Sequence, residues 1–424
     1  MKKSLSLMLI FVLLVLPACG TNDRSGTENG NAEGDERVTV KLAVWASGAA
    51  DNFAKAAEEF NKRQNKINFV IDMQTSYTEY LGAKVASNDL PDLFFLNPYS
   101  EVQQFARNGK ILDLSDRKFN DQLYDSMKAS GTYESKMYAF PTVLEMLGIY
   151  YNQDLFKEAG IEKVPETFDE MKEAVDKLNA KNITPFAATF KDSWTLMHML
   201  STLQGAILGD DMDDWIADMN AGKGTYDVEG SNRVYEFLDL IKENSGKNYM
   251  DADSTTGFNA LANGEAAMLL SGEFALLNLS SINPDLPVGL FAVPVTDNSA
   301  DAKLDVDVGI SIAVNKDSKN LEAALEVLDY ISDNNDKNGW FHHVSDSLGS
   351  SPPAMPFEMT KEYPYFKDYT NYMNAGKVRG WNYLQLPSGF GSTAGETIQG
   401  YMMNGLDSKQ TMQALDNGVK ELLQ

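Results

Sequence analysis

The stretch YAFPTVLEMLGIYYNQDLFKEAGI occupies residues 138–161, and its apolar run MLGIYYN predicts a β-strand. A helix is expected soon after it at FDEMKEAVDKLNAK, where Thr167 is the predicted N-cap and Glu170 stands at capping-box spacing. Three further strands are predicted before it, at VTVKLAVW, KINFVIDM and PDLFFLN, and they alternate with helices at DNFAKAAEEFNKRQ and YTEYLGAKVAS. This alternation predicts a parallel sheet flanked by helices.

The second half of the chain continues this α/β pattern. Residues 192–264 are mostly helical in pattern, and GEAAMLLSGEFALLNL predicts a strand that turns into a helix at Ser271-Gly272. Two more strands are predicted at VGLFAVPV and VGISIAVN. They are followed by an amphipathic helix at NLEAALEVLDYISD and a last helix at TMQALDNGVKELL. The fold class is therefore α/β.

The N-terminal end has the layout of a secretory signal, with Lys2 and Lys3 before an apolar run at residues 5–16. This run is too short to span a hydrocarbon core, which takes about 20 residues. The sequence LPAC at residues 16–19 resembles the lipobox of bacterial lipoproteins, in which the signal is cut before a cysteine that then carries lipid. We expect residues 1–18 to be a signal peptide and Cys19 to be lipidated. The alternative is an ordinary signal with an incidental cysteine.

Cys19 is the only cysteine in the chain, so no disulfide can form within it. Residues 20–36 carry no large apolar side chain and cannot bury enough surface to offset their ordering entropy. We therefore expect residues 19–37 to be a flexible linker that carries the lipid anchor.

The composition bounds the function classes. The remaining chain of a 424-residue sequence is too long for one ordinary core, which predicts two domains. The formal charge is −25, and removal of Lys2 and Lys3 with the signal makes it more negative. Such a surface repels nucleic acid and anionic lipid headgroups, so we expect no nucleic-acid partner and membrane attachment only through the lipid.

Four phrases in order resemble one protein family. They are PDLFFLN, the stretch at 138–161 followed by VPETFDEMKEAVDKL, then NGEAAMLLSGEF, and finally VGISIAVNKDSKNLEAALEVLDYIS. Together they resemble the extracellular solute-binding proteins (family 1) of ABC importers, in the sugar-binding branch that is similar to maltose-binding protein. The resemblance covers nearly the whole chain from residue 38 onward.

The resemblance implies a two-lobed periplasmic-binding-protein-like fold of type II, in which each lobe is a β-sheet flanked by helices. It implies about three crossover segments, which we place near residues 142–145, 302–305 and 338–341. The predicted N-terminal lobe comprises residues 38–143 and 305–338, and the predicted C-terminal lobe comprises residues 144–304 and 339–424. Ligand would lie in the cleft between the lobes and be enclosed by hinge closure.

The implied function is that of a lipid-anchored binding subunit on the extracellular face of a Gram-positive cell membrane. It would capture a carbohydrate, with an oligosaccharide favoured by the several aromatic candidates, and deliver it to ABC permease subunits. Because the sequence has no GK[ST] phosphate loop, the ATPase must be a separate chain. We expect a monomer. The alternative is the same fold with a non-sugar solute, or a ligand sensor for a membrane kinase.

Candidate site residues follow from the chemistry of sugars, which present flat C–H faces and rings of hydroxyls. Trp45 and Ser47 stand at the end of the first predicted strand, where open α/β sheets bind ligands, although Trp45 could instead pack the core. Asn97 ends another such strand. Trp340, at the third predicted crossing, is a further aromatic candidate.

A second group lies near the C-terminus. Arg379, Trp381 and Tyr383 would share a face in an extended segment and would form a sugar platform with a donor beside it. Equally, the three side chains could pack the irregular C-terminal part.

The resemblance supplies the remaining candidates. It places Glu145 at an acidic ligand position, with a solvated hinge carboxylate as the alternative. It places Trp194 and Asp192 where relatives offer an aromatic ring and a carboxylate, with helix-start packing as the alternative. Phe274 stands where many relatives have Trp, so a stacking face remains without the indole donor. Glu273 beside it is either a ligand residue or a surface residue.

No enzyme, cofactor or metal is expected. No motif selects a catalytic carboxylate pair for glycoside hydrolysis from the 61 acidic residues. The three histidines form no HExxH motif. The segment DADSTTGFNALA, residues 251–262, begins like a calcium loop but lacks its sixth-position glycine and twelfth-position glutamate.

Overall fold

A computed structural model describes residues 37–45, 49–346, 351–358 and 364–424. The predicted signal peptide, Cys19, residues 20–36 and Ser47 lie outside the described residues. Within the described ranges, none of the helices has the length and apolar character that a bilayer crossing needs.

The strands are β1 (Val38–Trp45), β2 (Ile67–Gln74), β3 (Leu93–Leu96), β4 (Thr132–Tyr133), β5 (Lys136–Met137), β6 (Ala139–Asn152), β7 (Thr184–Phe186), β8 (Ala266–Gly272), β9 (Val288–Phe291), β10 (Leu304–Val314) and β11 (Val378–Arg379).

The helices are α1 (Ala50–Arg63), α2 (Tyr77–Ala86), α3 (Ser100–Arg107), α4 (Gln153–Glu158), α5 (Phe168–Ala180), α6 (Ser193–Leu208), α7 (Met212–Asn220), α8 (Asn232–Glu243), α9 (Ser254–Ala262), α10 (Ala275–Ile282), α11 (Leu321–Ile331), α12 (Pro364–Asn374), α13 (Phe390–Met402) and α14 (Ser408–Leu422). The strands and helices predicted from the sequence are confirmed.

The main sheet has the strand order β2-β1-β3-β10-β6-β8-β7, with β9 paired to β6 and β11 paired to β10. Strand β1 is parallel to β2 and β3, as predicted. However, β10 is antiparallel to both β3 and β6, and β6 is antiparallel to β8 and β9. The prediction of a parallel sheet is therefore wrong for its middle. The chain runs along the sheet in β6 and returns in β10, so these two long neighbours have opposite directions.

Two large apolar clusters fill the fold. The first contains buried residues of β1, β2, α1 and α11, and the second contains those of α5 to α8, α13 and α14. Helix α1 shows the pattern expected from its sequence, because Phe53, Ala56, Ala57 and Phe60 are all buried. Full burial of one such phenylalanine contributes about 1.5–3 kcal/mol.

Helix α5 begins where the sequence predicts. The Thr167 side chain accepts a hydrogen bond from the Glu170 backbone N–H at 3.3 Å, which confirms Thr167 as the N-cap. The Glu170 carboxylate accepts from the backbone N–H of Glu166 rather than from that of Thr167, at 2.7 Å. The reciprocal half of a capping box is thus moved by one residue toward the N-terminus.

Candidate functional site

A cavity of about 490 Å³ lies where the ends of β1 and β3 meet the middle of β6 and β10, the start of α6 and the end of β8. Nine of the twelve predicted site residues line it: Trp45, Asn97, Glu145, Trp194, Glu273, Phe274, Trp340, Trp381 and Tyr383. The carboxyl ends of the parallel strands β1 and β3 meet at one edge of the sheet, which explains why Trp45 and Asn97 both reach the cavity. Their contact with a ligand stays a prediction.

Trp45 both lines the cavity and packs against its neighbours. Its ring meets those of Phe95 and Tyr77 edge-on, with centroids 5.1 and 5.6 Å away. The Tyr77 hydroxyl donates to the backbone carbonyl of Phe95 at 2.7 Å, which fixes this tyrosine behind the tryptophan. Trp45 is only partly buried and lines the cavity, so part of its ring remains open to a ligand there.

Trp340 has a different environment from Trp45. It is 1% exposed and stacks on Phe53 of α1, with ring centroids 5.4 Å apart and planes 17° apart. Its ring therefore belongs to the apolar cluster of β1 and α1, although Trp340 also borders the cavity. We expect truncation of Trp340 to act mainly through lost core packing.

A second group of aromatic side chains, here called the aromatic wall, also lines the cavity and consists of Trp194, Phe274, Trp381 and Tyr383. Trp194 is 40% exposed and meets Phe274 at a centroid distance of 5.6 Å. Trp381 and Tyr383 stack at 5.8 Å with planes 23° apart. Phe274 thus presents an aromatic ring at the position where the family resemblance predicts a stacking face without an indole N–H donor.

Two predicted site residues do not line the cavity. The Asp192 carboxylate accepts from the backbone N–H of Ser254, the first residue of α9, at 2.8 Å, where a negative charge is favoured by the helix N-terminus. Arg379 is buried and forms an ion pair with Asp305, Nε to Oδ1 at 2.6 Å. The prediction that Arg379, Trp381 and Tyr383 share one face of an extended segment is wrong for Arg379, because the strand β11 ends at this residue.

The two candidate glutamates have different roles. Glu273 is fully buried; its carboxylate accepts from the Met146 backbone N–H at 2.7 Å and from the Ser351 hydroxyl at 2.6 Å. Burial raises the pKa of Glu273 well above its usual value, and the nearby charge of Glu145 raises it further. Glu273 therefore serves first to hold the backbone of β6.

Glu145 is the freer carboxylate. It is half-buried, and burial raises its pKa to about 7. Among the described residues it accepts no hydrogen bond, although it faces the cavity. A carboxylate in this position can accept two hydroxyl donors of a bound molecule, because each of its oxygens has lone pairs to offer.

Two residues at or next to the cavity, His198 and Asp307, were not predicted from the sequence. Asp307 of β10 does not line the cavity, but its carboxylate accepts from the Tyr99 hydroxyl at 2.7 Å and from the backbone N–H of the lining residue Trp381 at 2.9 Å. His198 lines the cavity on α6, one helical turn after Trp194. The spacing of four residues from a candidate tryptophan was the available signal for His198. For Asp307 the available signal was its place, together with Asp305, in a strand that is mostly apolar.

Acidic and basic side chains are unequally represented in the described lining of the cavity. Among the described residues that line the cavity there are two glutamates and no lysine or arginine. The described residues also contain no cluster of side chains able to hold a metal ion. The cavity therefore suits an uncharged, hydroxyl-rich ligand better than an anionic one, because no lysine or arginine of the described lining would compensate the charge of an anion.

The comparisons with known proteins agree with this geometry. The chain is 25% identical over 327 residues to the multiple sugar-binding protein of Streptococcus mutans, covering 75% of each chain. It is 22% identical to the melibiose/raffinose/stachyose-binding protein MelE of Bacillus subtilis, covering 100% of this chain and 97% of that one. The solved structure of RafE with bound raffinose superposes with a TM-score of 0.78 at 22% identity, covering 91% of this chain and 100% of the other.

These structural neighbours are two-lobed, which confirms the predicted fold class. The model of the bacterial extracellular solute-binding protein family matches residues 46–337, well over half of the sequence. The chain belongs to the bacterial extracellular solute-binding protein family.

Proposed function

We propose that this protein captures a neutral carbohydrate, most suitably an oligosaccharide, in the cavity between β6, β10 and α6. The observation that carries the proposal is that two groups of aromatic rings line one cavity together with the Glu145 carboxylate, which accepts no hydrogen bond among the described residues. The rings match the flat C–H faces of a sugar, and the carboxylate matches its hydroxyls. The names of the relatives, which refer to sugars, support the same ligand class.

We further propose that the protein is the binding subunit of an ABC importer and acts as a monomer. The lobes would be residues 38–143 with 305–338 and residues 144–304 with 339–424. The long strands β6 and β10 would serve as the hinge for closure over the sugar, and the closed form would be recognised by the permease subunits. A separate chain would supply the ATPase.

The proposed place of action is the outer face of the cell membrane of a Gram-positive bacterium. Cleavage after residue 18 would leave Cys19 as the lipid-bearing N-terminus, and residues 19–37 would be the linker. Metabolic labelling with a radiolabelled fatty acid tests this, with Cys19→Ser as the comparison. Label on the native chain that is absent from Cys19→Ser supports the anchor, and label on both would place it elsewhere.

A thermal-shift screen of residues 37–424 tests the ligand class. The panel contains raffinose, stachyose and diacetylchitobiose, with glucuronic acid, amino acids and polyamines as comparison ligands. A ligand at 100 times its Kd stabilises the folded state by about 2.7 kcal/mol, which raises the melting temperature. We expect a neutral sugar to give this shift and glucuronic acid to give none. A shift with a polyamine or an amino acid, and with no sugar, would refute the carbohydrate proposal.

A further inference from the structure

His198 is the centre of the aromatic wall. Its ring centroid lies 5.6 Å from those of Trp194 and Tyr383, 5.8 Å from that of Trp381 and 5.9 Å from that of Phe274. A phenylalanine would fill such a position without introducing a polar group. The presence of an imidazole therefore requires a reason other than packing.

The polar atoms of His198 differ in their surroundings. The Nε2 atom lies 3.3 Å from the Tyr383 hydroxyl oxygen, whereas Nδ1 is buried and has no hydrogen-bond partner among the described residues. Burial lowers the pKa of His198 to about 4, so the ring is neutral at physiological pH. A neutral imidazole carries one proton, and its position decides what the Tyr383 hydroxyl can do.

The proton belongs on Nε2 for an energetic reason. A proton on Nδ1 would bury an N–H group with no acceptor, and orphaned buried N–H groups are rarer in proteins than under-satisfied acceptors. With the proton on Nε2, the imidazole donates to the oxygen of Tyr383. The Tyr383 hydroxyl hydrogen then remains free, because this hydroxyl makes no other hydrogen bond among the described residues.

We propose that His198 is a positioning residue that fixes the Tyr383 hydroxyl as a hydrogen-bond donor to an oxygen of the bound sugar. The inference rests on the proposed carbohydrate function and makes it more specific. Glu145 can only accept hydrogen bonds when it is ionised, so Tyr383 provides the complementary donor on the same cavity. The site would thus select a sugar that offers both a hydroxyl donor and an oxygen acceptor within one stacked ring.

The tautomer is measurable in the ligand-free protein. The chain has only three histidines, so the ¹⁵N signals of His198 are identified by their loss in His198→Phe. We expect long-range ¹H–¹⁵N spectra at pH 7 to show a neutral ring with its proton on Nε2. A proton on Nδ1, or a cationic ring, overturns the inference.

A double-mutant cycle tests the role in binding, using calorimetric titration with the sugar that gives the largest thermal shift. His198→Phe keeps an aromatic ring and removes the Nε2–H donor. Tyr383→Phe keeps its ring and removes the hydroxyl. Each should weaken binding by about threefold to tenfold, as expected for one neutral hydrogen bond. The double variant should bind the sugar no more weakly than the single variant with the lower affinity, because both substitutions act on the same hydrogen bond, the one that Tyr383 donates to the sugar.

The matched control is Tyr401→Phe. It removes a hydroxyl that donates a hydrogen bond to Asp239 at 2.9 Å, and neither residue lines the cavity. Its affinity should equal that of the native protein. Sugar binding with additive losses, or with no loss in His198→Phe, overturns the role of His198 and leaves the carbohydrate function intact. Absence of binding by every sugar in the native protein overturns both.

Discussion

The carboxylate of Glu145 lies directly against the backbone of Gly309 on the neighbouring strand. A Cβ atom at residue 309 would lie 2.0 Å from Cδ of Glu145, so only glycine leaves room for the carboxylate in its observed place. Residue 309 also lies at an irregularity in the pairing of β10 with β6. This close approach aims Glu145 into the cavity.

Gly309→Ala should therefore displace the Glu145 carboxylate and weaken sugar binding more than tenfold, with a smaller effect on folding because a side-chain end can move. Calorimetric titration measures the loss. The matched control is Gly82→Ala in α2, where nothing lies within 4 Å of the added Cβ. Native-like affinity in Gly309→Ala would show that the position of Glu145 does not matter for binding.

Trp194→Ala should weaken sugar binding more than tenfold while leaving the melting temperature nearly unchanged, because this ring is 40% exposed. Trp381→Ala should also lose binding but should destabilise the fold by about 3–5 kcal/mol, the usual cost of truncating a buried tryptophan. Titration and thermal unfolding of both variants separate the two effects. An equal loss of melting temperature in the two variants would contradict the difference in burial between Trp194 and Trp381.

Glu145 predicts a pH dependence of stability. Because burial raises its pKa to about 7, the folded state holds a proton that the unfolded state releases near its ordinary pKa. Its contribution to stability is fully present below the unfolded pKa and is lost as pH rises toward 7. Glu145→Gln should reduce the fall in the free energy of unfolding between pH 5 and pH 8, measured by urea denaturation. An unchanged slope would refute a raised pKa at this residue.

The same residue predicts the pH dependence of binding. Sugar hydroxyls that donate to Glu145 favour its ionised form, so affinity should rise with pH through about 7 in the native protein. In Glu145→Gln the affinity should be lower and nearly independent of this titration. A pH profile of Kd that is the same in both proteins would exclude Glu145 as the acceptor.

Asp307 joins Tyr99 to the backbone of Trp381 through its two carboxylate oxygens. Asp307→Asn keeps the shape but replaces one acceptor by a donor, which leaves a buried donor facing another donor. We expect a loss of about 1–3 kcal/mol in the free energy of unfolding. Tyr99→Phe removes a single hydrogen bond and should cost less, and the reverse order would contradict the two-acceptor role.

Much of the fold was predictable because its elements have strong local signals. The buried face of α1 and the Thr167 cap of α5 follow from apolar spacing and from one side-chain oxygen. The antiparallel centre of the sheet was not predictable from alternation alone, since the direction of β10 depends on where the chain returns to β6.

The site was predictable to the extent that strand ends and aromatic residues indicate a cleft. Arg379 was misplaced because its partner, Asp305, is 74 positions away in the chain and no local pattern reveals a buried ion pair. His198 was missed because its spacing from Trp194 was the only local signal, and the other three rings around it, those of Phe274, Trp381 and Tyr383, come from distant parts of the chain.

The central claim is that a neutral sugar binds in this cavity, stacked on its aromatic rings and with Glu145 as its acceptor. The structure of the protein in complex with the sugar that gives the largest thermal shift tests it most directly. We predict a sugar ring stacked on Trp45 or Trp194, with hydroxyls within hydrogen-bond distance of Glu145. A sugar bound outside this cavity would contradict the account. So would a sugar bound in the cavity that does not contact Glu145, or one that contacts neither tryptophan.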